Sequence, residues 1–382
     1  MKQDIEQLCI NTIRTLSMDA VQAANSGHPG TPMALAPVVY SIYDRFMKFN
    51  PNNPNWLNRD RFILSAGHAS MLLYSILHIT GYDVTLNDIE SFRQLHSKCA
   101  GHPEYGLTPG VETTTGPLGQ GLATSVGFAI AEKWLESYFN KPNYDLINYK
   151  TFALSGDGCM MEGISSEAAS IAGHLGLDNL IWLYDNNHIT IEGNTSLAFT
   201  EDVATRFIAY GWNVQRVGDA NDLEMLSRTL NIAIKEKGRP SLIIVDSHIA
   251  YGAPTKQDTH GAHGSPLGEE EIKATKKFYG WDPEKKFFVP DEVNEYANKI
   301  VERGKKQNAE WDKFFSKYQK EYPELAAQLK LIQKREMPEG WDCCIPTFKY
   351  GDSLSGRKAN GKVLNAIAEK IPFMIGGSAD LS

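Results

Sequence analysis

The sequence predicts an α/β fold, a doubly wound parallel sheet with helices on both faces followed by a helical linker. Two observations carry this. Short β-rich runs, Arg61 to Ser65, Thr151 to Ser155, Leu180 to Tyr184, Asn213 to Val217 and Ser241 to Asp246, alternate with amphipathic segments around Leu118 to Tyr138, Ser166 to Leu175, Glu201 to Tyr210 and Asp222 to Glu236. After Glu269 the composition changes to long, charged, helix-forming stretches that run to about Arg335.

The elements follow in order. Asp4 to Ala24 has helical apolar spacing and ends at Ser26-Gly27, a helix stop. A second helix is expected from Thr31-Pro32, with Thr31 as cap and Pro32 in the first turn. Between them Asn25-Ser26-Gly27-His28-Pro29-Gly30 sets an imidazole on a tight turn. The strands and helices of the sheet come next, then the linker, then a helix around Lys358 to Lys370 and a strand Phe373-Met374-Ile375 entering Gly376-Gly377-Ser378-Ala379-Asp380. This divides the chain into a first domain over 1-268, a linker over 269-349 and the opening of a further domain over 350-382.

At 382 residues the chain exceeds one ordinary core. Its net charge of −8 leaves no basic footprint for a polyanion, so no nucleic acid partner is expected. A local cluster of His, Arg and backbone N–H groups can still hold a sugar phosphate inside an acidic protein. The five cysteines are scattered without metal-ligand spacing, which points to a reducing compartment, and the adjacent Cys343 and Cys344 are given no role. Met1 to Ile10 is polar, and no run is apolar enough to span a bilayer. A cytoplasmic protein without a membrane partner is expected.

The sharpest signal is Leu154-Ser155-Gly156-Asp157-Gly158-Cys159 followed by Tyr184-Asp185-Asn186-Asn187-His188-Ile189-Thr190. Strand, Gly-Asp-Gly turn, helix, strand and Asn pair make one βαβ unit with an acidic and an amide oxygen at successive strand ends. Mg²⁺ takes oxygen ligands in an octahedron usually completed by phosphates and water. Asp157, Asn187 and a nearby carbonyl supply one face of it, and the glycines let backbone N–H groups approach a diphosphate. Gly-Asp-Gly alone is a common turn, and one His beside Gly or Pro is often structural. Five histidines in such loops, His28, His68, His102, His260 and His263, favour function. His78 and His174 lie in helical patterns and read as packing residues; His188 is expected to have no essential role. No G-x-G-x-x-G opens a helix after a first strand, which disfavours a nicotinamide dehydrogenase.

The run Gly156-Asp157-Gly158-Cys159-Met160-Met161-Glu162-Gly163-Ile164-Ser165-Ser166-Glu167-Ala168 resembles transketolases. So do Arg59-Asp60-Arg61-Phe62, Gly67-His68-Ala69, Gly101-His102-Pro103-Glu104, Thr114-Thr115-Gly116-Pro117-Leu118-Gly119-Gln120-Gly121 and His263-Gly264-Ser265-Pro266-Leu267, so the resemblance spans the chain. It implies a thiamine-diphosphate-binding fold and transfer of two-carbon ketol units from a ketose phosphate to an aldose phosphate. The cofactors would be thiamine diphosphate and Mg²⁺, for which Ca²⁺ or Mn²⁺ can substitute. Residue by residue, it implies that Asp157, the Asn187 side chain and the Ile189 carbonyl hold the metal, and that Gly158 and His68 meet the diphosphate. Gly116, Pro117 and Leu118 would lie along the cofactor. His28, His102, His260 and His263 would line the funnel, with His28, His102 and His263 handling sugar and protons. Arg357 would grip the sugar phosphate. Glu162 would join a carboxylate network between subunits, and Asp380 would lie near the cofactor of the other subunit.

The resemblance also implies a homodimer with active sites between subunits. The carboxylate that activates the cofactor would come from a pyrimidine-binding domain beyond Ser382, and a third domain would follow. The chain alone is therefore expected to be catalytically incomplete, as a truncated or cleaved product or a subunit of a split enzyme. Dihydroxyacetone synthase, another sugar-phosphate enzyme of the same cofactor class and a non-catalytic cofactor-binding module stand as alternatives.

Overall fold

The computed structural model describes residues 4–378, so Asp380 lies outside the described residues. Along the chain come α1 (Ile5–Ala23), α2 (Gly30–Ser41), β1 (Arg61–Leu64), α3 (Ser70–Ile79), α4 (Leu86–Glu90) and α5 (Gln120–Phe139). Then follow β2 (Thr151–Gly156), α6 (Asp157–Met161), α7 (Gly163–His174), β3 (Leu180–Asn186) and a small hairpin of β4 (Ile189–Thr190) and β5 (Gly193–Asn194). The remainder is α8 (Val203–Ala209), β6 (Asn213–Val217), α9 (Leu223–Lys235), β7 (Ser241–Asp246), α10 (Glu269–Phe278), α11 (Asp291–Glu321), α12 (Pro323–Lys334) and α13 (Gly356–Ala368).

The main sheet has the order β1-β2-β3-β7-β6 and every pairing in it is parallel. Side chains alternate between two cores, as strand pleating requires. Phe62, Leu64, Phe152, Leu154, Ile181, Leu183, Ile243 and Val245 pack with α1, α2, α3 and α9. Ile63, Ala153, Trp182, Tyr184, Leu242 and Ile244 pack on the opposite face with α5, α7 and α8. Helices thus cover both faces, which is the doubly wound α/β arrangement, and the central strands are buried along their length. A third apolar group, including Met18, Met33, Ala250, Ala262, Leu267 and Ile272, holds the chain after β7 against α1 and α2. Beside it Lys276 and Asp19 form a fully buried ion pair at 2.6 Å.

The described chain forms two compact units, one running through Asn140 together with Ile147–Glu310, the other Lys141–Leu146 with the residues from Trp311 onward. Within the second, Tyr144 packs on Phe314, Tyr318 and Tyr322, and the Trp311 indole donates to the Leu146 carbonyl at 2.8 Å. Its helix α13 is capped by Ser355, whose hydroxyl accepts from Lys358 N, and buries none of its residues.

Four expectations are corrected. Helix α2 starts at Gly30 with Pro29 at the cap position, so Thr31 is a buried helical residue and no capping side chain is present. Gly156 ends β2 and Asp157 begins α6, so Gly-Asp-Gly is a direct strand-to-helix junction instead of a turn. Phe373-Met374-Ile375 is not a strand, since no neighbouring strand among the described residues offers it a ladder. His174 is exposed at the end of α7, on the helix side that faces away from the sheet, whereas His78 is hydrogen-bonded to the Val84 carbonyl at 2.7 Å.

Candidate active site

Ligands of open α/β sheets sit beyond the carboxyl ends of the strands. At that edge a cavity of about 380 Å³ is lined by His28, His68, His102 and His263, by Gly116 and Leu118, and by Asp157, Gly158, Asn187 and Ile189. Each segment arrives for a local reason. His68 follows β1 in the short turn Gly67–Ala69, where a Cβ on Gly67 would stand 2.7 Å from Thr115 Oγ1 and 2.9 Å from Gly116 N. The Gly116 loop therefore closes directly on that backbone. His28 precedes α2, and Gly30 accepts from Ala250 N at 3.0 Å, which ties it to the loop that carries His263.

Three imidazoles form one cluster. The ring centroids of His28 and His68 are 5.0 Å apart, those of His28 and His263 5.7 Å, and those of His68 and His263 5.1 Å in a stacked pair. Burial pushes the His28 pKa down to about 4, with His263, Arg93 and His102 adding to the effect. Burial likewise takes His68 to about 3, reinforced by His263, His28 and His102. His102 is lowered by burial and then by Arg93, and His263 by burial. All four rings are neutral at neutral pH. The Nδ1 atoms of His28 and His263 are buried and have no hydrogen-bond partner.

The oxygen donors lie opposite. Asp157 is buried; its Oδ1 accepts from the Tyr184 hydroxyl at 2.6 Å and its Oδ2 from His188 N at 3.1 Å. His188 adopts a left-handed backbone with φ 61°, which aims that N–H, while its side chain is exposed. Asn187 donates through Nδ2 to Asp185 Oδ2 at 2.7 Å and accepts through Oδ1 from Ile189 N at 2.9 Å. Asp185 in turn accepts from the Ser247 hydroxyl.

These features fit a divalent cation carrying a diphosphate. The donors are a carboxylate and an amide oxygen, which suit a hard cation, and burial raises the Asp157 pKa, a cost that a cation would offset. A Cβ on Gly156 would meet nothing within 4 Å, so the backbone there opens onto space, whereas one on Gly158 would stand 2.8 Å from Leu118.

Not every expected residue converges here. His260 is exposed and does not line the cavity, because the short turn His260–Ala262 directs Ala262 inward instead. Pro117 and Glu162 are exposed and outside the lining. Arg357 is exposed in the first turn of α13, in the second unit. Thr31, expected only as a helix cap, and Met161 line the cavity too, as does Ile191, which no motif in the sequence marks. Tyr184, Asp185 and Ser247 were also missed as supports; the signal for Asp185 was an acid inside an apolar strand.

Residues 5–338 match the model of the family described as transketolase, thiamine diphosphate binding domain. Transketolase of Geobacillus stearothermophilus is 52% identical over 100% of this chain and 57% of its own length, and that of Aquifex aeolicus is 52% identical over 99% and 54%. A Pichia stipitis transketolase structure in complex with sedoheptulose 7-phosphate superposes with a TM-score of 0.96 at 45% identity, covering 99% of this chain and 56% of that one. The chain thus spans a little over half the length of the curated relatives it matches. It belongs to the transketolase thiamine diphosphate binding domain family.

Proposed function

We propose that this chain supplies the diphosphate-binding side of a transketolase site that moves a two-carbon ketol unit from xylulose 5-phosphate to ribose 5-phosphate or erythrose 4-phosphate. The observation that carries it is the single cavity that sets neutral imidazoles of His28, His68, His102 and His263 against the oxygens of Asp157 and Asn187. Asp157, Asn187 and the Ile189 carbonyl would hold Mg²⁺, with Gly158 and His68 on the diphosphate and Gly116 and Leu118 along the cofactor. Bound thiamine diphosphate supplies an electron sink for cleaving and forming the carbon–carbon bond.

The chain's own groups handle hydroxyls and protons. A neutral imidazole accepts a proton at one ring nitrogen and donates at the other, and His28 and His263 line the cavity in that form. His102, the least buried of the four, meets the sugar from the solvent side. Arg357 would grip the phosphate with its planar fork. Pro117, Glu162 and Asp380 keep supporting roles beside the cofactor and between subunits. Residues 1-268 are read as the diphosphate-binding domain, 269-349 as a linker and 350-382 as the opening of the pyrimidine-binding domain. A homodimer and the region of the relatives outside the match would complete the site.

Dihydroxyacetone synthase chemistry is the second reading, since the same pocket would serve a different acceptor. Ketol transfer from xylulose 5-phosphate is measured with Mg²⁺ and thiamine diphosphate, using this chain with and without the region that completes its relatives. Turnover only in the mixture, with ribose 5-phosphate preferred over formaldehyde, is expected. Silence in a mixture shown to bind the cofactor would sink the reading.

A further inference from the structure

We propose that Arg93 is a positioning residue for this site: it ties the turn that carries His28 to the loop that carries His102, so that the two imidazoles move as one wall of the cavity. The role rests on the ketol-transfer reading of His28 and His102.

Three contacts define the tie. Arg93 Nη1 donates to Ser26 Oγ at 2.6 Å, two residues before His28. Arg93 N donates to the Cys99 carbonyl at 2.9 Å, and a Cβ on Gly101, the residue before His102, would lie 3.3 Å from Arg93 Nε. Next to it, a Cβ on Gly27, the residue before His28, would lie 3.0 Å from the Phe92 ring. Residues 92 and 93 therefore touch the backbone immediately before each histidine.

The arrangement costs stability that packing alone does not explain. Arg93 holds a left-handed backbone at φ 62°, strained for a residue with a side chain. Its Nε is buried without a hydrogen-bond partner, and among the described residues no carboxylate pairs with the guanidinium. A partly buried cation with one side-chain hydrogen bond and no counter-ion acts on its neighbours through its charge. The titratable groups around His28 are His263, Arg93, His102 and His68, and of these only Arg93 carries a permanent charge; it opposes protonation of both His28 and His102. Strain of this kind is retained where geometry matters for function.

The test uses R93M, R93K and S26A in the whole protein, with three readouts. Ring signals of isotopically labelled histidine are titrated without substrate, Mg·thiamine diphosphate affinity is measured by binding, and KM and kcat are measured in the assembled enzyme. R93M is expected to raise the His28 and His102 midpoints, because it removes the positive charge that opposes protonation of both rings. It should raise the sugar KM about tenfold, as loss of a charge-assisted hydrogen bond would, while cofactor affinity is unchanged. R93K, which keeps the charge and can still reach Ser26 Oγ, should restore both. Unchanged midpoints in folded R93M, a R93K as impaired as R93M, or cofactor affinity that falls in step with KM would each overturn the proposal. If R93M does not fold, S26A decides, since it removes only the hydroxyl: an unaltered His28 signal and unaltered KM there would overturn it. Because the titration needs no turnover, its failure is separable from a failure of ketol transfer.

Discussion

Tyr184 donates its hydroxyl to Asp157 Oδ1 across 2.6 Å, so the carboxylate that opens α6 is held from the neighbouring strand. Where such a carboxylate holds a metal, as proposed for Asp157, support of this kind typically tunes affinity by about 10–100-fold. Y184F is therefore expected to weaken Mg²⁺ binding by about tenfold while leaving the melting temperature within a few degrees. Calorimetric titration of Mg²⁺ in the presence of thiamine diphosphate checks this, and wild-type affinity would show that Asp157 needs no such hold.

The histidine cluster predicts acid lability. In the unfolded chain an imidazole takes up its proton near pH 6.5, whereas burial delays this to about 4 for His28 and about 3 for His68. Between these limits the unfolded state binds more protons, so stability falls as pH is lowered from 6.5 towards 4, by up to about 1.4 kcal/mol per pH unit for His68. H68Q should flatten that slope in urea titrations from pH 7 to 4.5; an unchanged slope would place the lability elsewhere.

Glu132 predicts the opposite dependence, away from the site. Burial pushes its pKa up to about 7, against the pull of Lys133, and it accepts from Asn179 Nδ2 at 2.7 Å. The fold prefers the protonated acid, so stability is lost as pH rises from about 4.5 through about 7. E132Q keeps an acceptor for Asn179 and should gain about 3 kcal/mol over the wild type at pH 8 and almost nothing at pH 4.5. Equal stabilities at both pH values would refute the assignment.

Lys276 donates to Asp19 and to the Lys285 carbonyl, both at 2.6 Å, in a fully buried position. K276M removes the counter-charge hydrogen-bonded to Asp19 and should cost about 3–5 kcal/mol in urea unfolding. The double variant D19L/K276M should recover most of that loss; no recovery would mean that the pair matters by shape alone.

Legibility in the sequence followed the physics of each element. The sheet strands were readable as short β-rich runs; β1, β2, β3 and β7 are buried along their length, whereas the edge strand Asn213–Val217 is only partly buried, and it and Ser241–Asp246 occupy the predicted residues. Asp157, Asn187, His28, His68, His102 and His263 were readable because they stand beside glycines or strand ends, and the fold brings them together. Tyr184, Asp185 and Ser247 were not, because a hydrogen bond across neighbouring strands leaves no spacing in the sequence. Helix α2 begins earlier than Thr31-Pro32 suggests, because Pro29 and Gly30 can themselves open a helix and no capping hydroxyl is used.

The two loops that bear His28 and His263 lie at opposite ends of the first unit's sequence, and the contact between Gly30 and Ala250 joins them. During synthesis a ribosome would therefore expose most of the sheet before any pocket exists. Cofactor could not rescue an early intermediate, because β7, the strand that lies between β3 and β6, is made after every residue proposed to hold the metal and the diphosphate. Nascent chains stalled before residue 263 should gain no protease resistance from thiamine diphosphate and Mg²⁺, while chains stalled well past it should. Vitamin supply would then act on this protein as quality control at the end of folding, with no part in its beginning.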